Sequence, residues 1–202
     1  MIKLFIAAAM TIVLSGTTAI AAPNGTFRQA HEYGYGDKSS LDPASRGRVM
    51  QITEKLMSRL IRPDMKGSPS PDLATSWSSN DEATVWTLNL REGVKFHDGS
   101  GFDSGDVIYT FSRVLDPENK SPARSAIKMI EKMEAPDDMT VKFTLSTPFA
   151  DMPLQLMDYR LRIIPENSGD SIATSGIGTG PFKLVSYDAA GVTKLCLLYT
   201  SD

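Results

Sequence analysis

Between Thr84 and Arg91 the sequence alternates without a break. Trp86, Leu88 and Leu90 fall on one side, and Thr87, Asn89 and Arg91 on the other. Side chains of an extended chain point to opposite faces with a period of two, so this segment is a strand with one buried face. It therefore needs a core on its apolar side. Glu92-Gly93 and Asp98-Gly99 are turn pairs on either side of an extended Val94–His97. Asp103 then opens a helix, with its carboxylate placed to accept from the N–H of Asp106. Val107, Ile108, Phe111, Val114 and Leu115 supply its buried stripe, and Asp116-Pro117 ends it.

Other segments are read the same way. Val49, Ile52, Leu56 and Leu60 recur at helical spacing, which predicts a helix over Arg46 to Ile61 with Ser45 as its cap. Pro63, Gly67, Pro69 and Pro71 predict a loop. Val141, Phe143 and Leu145 alternate after Pro136-Asp137-Asp138, which predicts a hairpin ending in Thr140 to Leu145. Ile127 to Glu134 fits either a helix or a strand. Thr26 to Ala30 is expected to be a strand, Pro148 to Met157 a short helix, Arg162 to Ile164 a strand, Asn167 to Gly180 a connector and Pro181 to Tyr187 extended. Strands and helices mix without a regular βαβ rhythm, so the class is mixed α/β or α+β.

The two termini concern export and origin. Lys3 precedes an apolar run from Leu4 to Leu14, and Ala19-Ile20-Ala21 offers small residues at the positions a signal peptidase reads. That order predicts a secretory signal over residues 1–21, and the run is shorter than the ~20 residues of a membrane span. No cysteine follows the small residues, so a free periplasmic protein is expected rather than a lipid-anchored one. The final Cys196-Leu197-Leu198-Tyr199-Thr200-Ser201-Asp202 reproduces, residue for residue, one reading frame of a transposase adaptor end used in sequencing. Residues 196–202 are therefore expected to be foreign, and the gene to run on past Leu195. A net charge of -3 supplies no electrostatic footprint for nucleic acid. One Cys and two distant His exclude a disulfide framework and leave no set of residues at metal-ligand spacing.

Three stretches, in one order, resemble the extracytoplasmic solute-binding proteins of peptide and nickel ABC transporters, the family 5 type. The first is Pro71-Asp72-Leu73-Ala74-Thr75-Ser76-Trp77 followed by Thr84 through Gly99. The second is Phe102 with Asp106-Val107-Ile108-Tyr109-Thr110-Phe111-Ser112-Arg113. The third is Gly178-Thr179-Gly180-Pro181-Phe182. Leu41-Asp42-Pro43 also stands where the family carries that tripeptide. Asp103-Ser104 departs from the family's usual Thr-Ala or Asn-Ala, with a residue that caps a helix equally well. The resemblance implies a periplasmic binding protein-like, two-lobed cleft fold (type II-like), of which only the N-terminal part is present. Residues 22–44 and 172–195 would begin the first lobe, and 45–171 would form a domain packed on it. It also implies a monomeric receptor that binds a di- or oligopeptide and delivers it to a membrane permease, without catalysis or cofactor. Nickel, haem or another small solute is the alternative ligand. A secreted hydrolase is the competing class, and it would need a nucleophile–base or metal constellation that these motifs do not supply.

Two clusters are candidate ligand contacts. The loop Tyr33-Gly34-Tyr35 follows the expected first strand, and the matching loop of the resembled family faces the cleft. Tyrosine joins a flat apolar face to a hydroxyl, which suits a peptide of varied side chains. Asp158-Tyr159-Arg160 lies near the expected crossing back to the first lobe, with a plain surface charge pair as the alternative. Gly176-Ile177-Gly178-Thr179-Gly180 has the wrong spacing for a dinucleotide loop, and Pro181 precedes an extended stretch rather than a helix. His31 and His97 are read as loop or turn residues.

Overall fold

A computed structural model describes residues 38–189 and 191–198. The expected signal segment, the Thr26–Ala30 strand, His31 and the Tyr33-Gly34-Tyr35 loop lie outside the described residues. In chain order the elements are α1 (Met50–Leu56), β1 (Ile61–Pro63), β2 (Pro69–Pro71), β3 (Ala74–Ser79), β4 (Val85–Leu90), α2 (Ser104–Leu115), α3 (Arg124–Ile127), β5 (Ile130–Asp137), β6 (Thr140–Leu145), α4 (Met152–Leu156), α5 (Ile172–Ser175), β7 (Phe182–Ser186) and β8 (Lys194–Leu197).

The alternating segment is β4, an inner strand of a four-stranded antiparallel sheet in the order β3-β4-β6-β5. Trp86, Leu88 and Leu90 are buried, as their period of two requires. Trp86 stands opposite Phe143 of β6, and its indole N–H donates to the Phe149 carbonyl at 3.2 Å. The hairpin β5–β6 forms as expected. Ile127–Glu134 is mainly strand: Ile127 closes α3, and Ile130–Glu134 belongs to β5. Pro136 is accommodated because β5 is an edge strand, with an irregular register between Glu134 and Asp137.

The helix α2 packs on β5 and β6. Phe111 stacks on Phe143 with ring centroids 5.0 Å apart at 25°. Val107, Phe111 and Val114 are buried, whereas Ile108 and Leu115 are half-buried. The N-terminus of α2 is closed by a reciprocal capping box. Asp103 accepts from Gly105 N–H at 2.7 Å as well as from the Asp106 N–H, and Asp106 accepts from the Asp103 N–H at 2.9 Å. Asp106 also accepts from the Glu166 N–H at 2.7 Å, which fastens the loop after α4 to the helix. Burial raises the Asp106 carboxyl above its ordinary value, although those N–H groups pull the other way. Asp103→Ala is expected to lower stability by about 1–2 kcal/mol, read as a lower urea midpoint, with Asp103→Ser restoring most of it.

Four expectations are corrected. The helix predicted over Arg46–Ile61 is only α1, Met50–Leu56. Ser45 does not cap it; its hydroxyl accepts from the Gly47 N–H in a preceding turn. Gly47 lies so close to the Lys38 carbonyl that a Cβ would sit 2.0 Å away, and Ser40 and Arg48 form a bridge, so the chain before Val49 is committed elsewhere. The Pro-rich loop is instead the hairpin β1–β2, with Ile61 opposite Pro71. Arg162–Ile164 is not a strand, since only Arg162 makes a bridge, with Arg59. The connector from Asn167 to Gly180 contains α5, which ends at Gly176 in the left-handed region.

All described residues belong to one compact unit, Tyr33–Asp202. Its larger apolar cluster joins α2 and the four-stranded sheet with residues of β1, α3 and α4. A smaller one joins Leu41, Leu56, Met57, Ile164 and Ile172, with Phe182, Leu184 and Leu195 packed against it. Leu56, Met57 and Ile164, placed above in the 45–171 domain, thus share a core with Leu41 and Ile172. Asp42 ties the tripeptide Leu41-Asp42-Pro43 to α2. Its carboxylate holds the Arg113 guanidinium of α2 at 2.8 Å and accepts from the Ala44 N–H at 2.9 Å.

Candidate functional site

The short α1 ends at Leu56, and everything around that end converges on its last carbonyls. The Gly178-Thr179-Gly180 segment passes directly over it. A Cβ on Gly178 would stand 2.2 Å from the Leu56 carbonyl oxygen, and one on Gly180 would stand 2.5 Å from that of Lys55. Neither glycine has a left-handed φ. Close approach is what requires them, and it lets the Gly180 N–H donate to the Leu56 carbonyl at 2.8 Å.

His97 fastens the other side of this segment. Its backbone N–H donates to the Gly178 carbonyl at 3.0 Å, and the Gly178 N–H donates to Nδ1 at 3.3 Å. Its Nε2 lies 2.9 Å from the Gly180 carbonyl. The pattern assigns the neutral tautomer with hydrogen on Nε2. Lys183 Nζ completes the clasp on the His97 carbonyl at 2.8 Å. The first and third sequence blocks are therefore parts of one contact, which their separation along the chain conceals.

Past Leu56 the chain runs beside Arg162. Ile163 N–H donates to the Ser58 carbonyl at 3.0 Å, and Arg162 reaches the Met57 carbonyl through one terminal nitrogen at 2.6 Å. Arg162 is 4% exposed, and among the described residues its Nε–H has no partner. Arg59, across the bridge, donates to the Met157 carbonyl at 2.5 Å, and its backbone N–H is held by Asp72 at 3.0 Å. Burial lowers both guanidinium values. Arg162 falls to about 10, with the nearby Arg59 charge adding to the effect. A cavity of about 430 Å³ opens here, lined by Arg59, Arg62, Arg162, Lys55, Glu54 and Asp72 among others. The one trace of it in the sequence is an arginine inside the apolar run Leu161–Ile164.

Asp158-Tyr159-Arg160 forms a second cluster. Asp158 and Arg160 hold each other in a two-pronged ion pair, and Arg160 also donates to the Pro122 carbonyl at 2.7 Å. Burial opposes ionisation of Asp158, but the hydrogen bonds from Arg160 prevail and leave its carboxyl below the ordinary value. Tyr159 is 39% exposed between two guanidiniums, with Arg48 at 4.9 Å and Arg160 at 5.5 Å from the ring centroid. Arg48 also donates to the Tyr159 hydroxyl at 2.7 Å. Asp158 and Arg160 are thus engaged with each other, and the tyrosine ring is the group they present. Among the described residues no group of His, Cys, Asp and Glu is disposed to hold a metal ion, and no helix is long and apolar enough to cross a membrane.

This arrangement, an antiparallel sheet with α2 on one face and a glycine strap returning over α1, is shared with solved periplasmic binding proteins. Residues 68–195 match the family described as Bacterial extracellular solute-binding proteins, family 5 Middle, and the chain belongs to that family. The chain is 35% identical over 127 residues to the glutathione-binding protein GsiB of Pectobacterium atrosepticum, a match covering 61% of this chain and 25% of that protein. Among solved structures, the PBP AgaA of A. tumefaciens R10 in complex with agropinic acid superposes with a TM-score of 0.73 at 31% identity, over 81% of this chain and 34% of AgaA. DppA of Helicobacter pylori, an ABC transporter-associated periplasmic binding protein in complex with the peptide STSA, gives 0.71 at 29% identity, over 80% and 37%. The chain thus spans about a quarter to a third of the length of these relatives.

Proposed function

We propose that this chain is the N-terminal part of an extracytoplasmic receptor that binds a di- or oligopeptide and delivers it to the permease of an ABC transporter. The family match over residues 68–195 carries this reading, and the likeness to peptide-bound DppA favours a peptide among the solutes the relatives hold. Residues 22–44 and 172–195 start one lobe, 45–171 pack on it, and a second lobe faces them across the cleft. The protein is a periplasmic monomer, exported by the signal over residues 1–21, with residues 196–202 foreign to it. The Tyr33-Gly34-Tyr35 loop and the Tyr159 ring between its two arginines supply contacts to the solute. Binding closes the hinge because the ligand touches both lobes only in the closed state, and its differential affinity shifts the population. Backbone-type hydrogen bonds hold the peptide, and water in roomy side-chain pockets tolerates varied sequences. No step breaks a bond in the solute.

The test is calorimetric titration of the protein from the intact gene with defined di- and tripeptides, followed by mass analysis of the recovered peptide. Saturable binding with the peptide recovered whole is expected. Binding of a non-peptide solute alone would overturn the ligand class, and peptide cleavage would overturn the receptor reading.

A further inference from the structure

The turn of the hairpin β1–β2 is built without the side chain at its tip. The Asp64 carboxylate accepts from the N–H groups of Lys66 and Ser68, each at 2.8 Å. The Asp64 N–H donates to the Ser68 carbonyl at 2.8 Å, and the Gly67 N–H donates to the Asp64 carbonyl at 3.1 Å. Gly67 takes the left-handed φ that the turn requires, at 82°. None of these contacts uses the side chain at position 65. Met65 stands there, 104% exposed, so its thioether is as open to water as that of a methionine in an extended peptide.

The other methionines are placed differently. Met57 and Met152 are fully buried, and Met129, Met133, Met139 and Met157 are partly buried against the larger apolar cluster. Met50 of α1 is 38% exposed. Met1 and Met10 lie outside the described residues. An oxidant must reach the sulfur lone pair, so the rate of thioether oxidation follows exposure. Its cost follows burial, because a sulfoxide is polar and disrupts a packed core but not a solvated tip.

We propose that Met65 is an oxidative modification site, the described methionine that a peroxide converts first, and that the hairpin carries the sulfoxide without loss of fold. The Met65 Sδ lone pair attacks one oxygen of hydrogen peroxide and forms the S–O bond. The O–O bond breaks, and the other oxygen leaves as water with both hydrogens. Sulfur gives up the two electrons that the peroxide gains. Nothing in this step depends on which solute the protein binds.

The protein is treated with excess hydrogen peroxide, sampled over time, quenched and digested with trypsin. Pro63 blocks cleavage at Arg62, so the peptide over residues 60–66 carries Met65 as its one methionine. Tandem mass spectrometry places the added oxygen in the remaining peptides, and N-acetylmethionine amide in the same flask gives the rate of an unhindered thioether. Met65 is expected to react within about twofold of that reference, about threefold faster than Met50 and more than about tenfold faster than Met57 and Met152. The melting temperature is expected to stay unchanged while Met65 is converted, and Met65→Leu to remove this fast event and leave the slower ones as they were. Another described methionine that keeps pace with Met65, a Met65 rate far below the reference, or a melting temperature that falls as Met65 is converted overturns the proposal.

Discussion

Gly178→Ala is expected to destabilise the protein by about 3 kcal/mol, at the upper end of what overpacking costs. The added methyl would lie 2.2 Å from the Leu56 carbonyl oxygen and 2.6 Å from Met57 Cγ. The carbonyl is backbone, so it cannot rotate away as a long side chain could. Relief requires the strap to lift, and lifting it breaks the Gly180-to-Leu56 bond and both ring contacts of His97. In a protein of this size a loss of that order lowers the melting temperature by roughly 6–12 °C. Gly101→Ala is the matched control. Nothing lies within 4 Å of its Cβ position and its φ is not left-handed, so its melting curve is expected to overlay the parent's. Equal curves for Gly178→Ala and the parent would mean that the strap does not press on α1.

Phe143→Ala is expected to cost more, about 4 kcal/mol. Phe143 is fully buried, sits mid-strand opposite Trp86 and Met133, and stacks on Phe111. Removing its ring leaves a cavity walled by a sheet and a helix, and neither can collapse without disturbing the other. It also deletes the contact that orients α2 on the sheet. Phe143→Leu keeps most of the volume and is expected to lose under half as much, since volume-conserving swaps usually cost below about 1.5 kcal/mol. Denaturant midpoints of the two variants, compared at unchanged slope, check the order.

What could be read from the sequence was the part whose pattern is local. β4 and β6 announce themselves because burial on one face imposes a period of two on Trp86, Leu88, Leu90 and on Val141, Phe143, Leu145. α2 does so because a cap, an apolar stripe and Asp116-Pro117 coincide. β3 escaped notice because it is an edge strand, with its serines exposed and only Ala74 fully buried. β1 and β2 escaped because prolines, tolerated in a two-stranded ribbon, read as loop signals. α1 was overextended because its apolar spacing continues through Leu60, while the backbone there pairs with Arg162 and with the chain entering β3. The site was less legible than the fold. His97 lies 81 residues from Gly178, and Arg162 lies 105 from Met57, so no local pattern links either to its partner. The charges of Asp158 and Arg160 were visible, but not that they would bind each other.

The receptor reading is tested most directly by native mass spectrometry of the protein, purified without denaturation. The account predicts a bound species heavier than the chain by the mass of a short peptide, with the peptide released unchanged on unfolding. A protein that carries no adduct and gains none when supplied with peptides, or one that returns them cleaved, would contradict it.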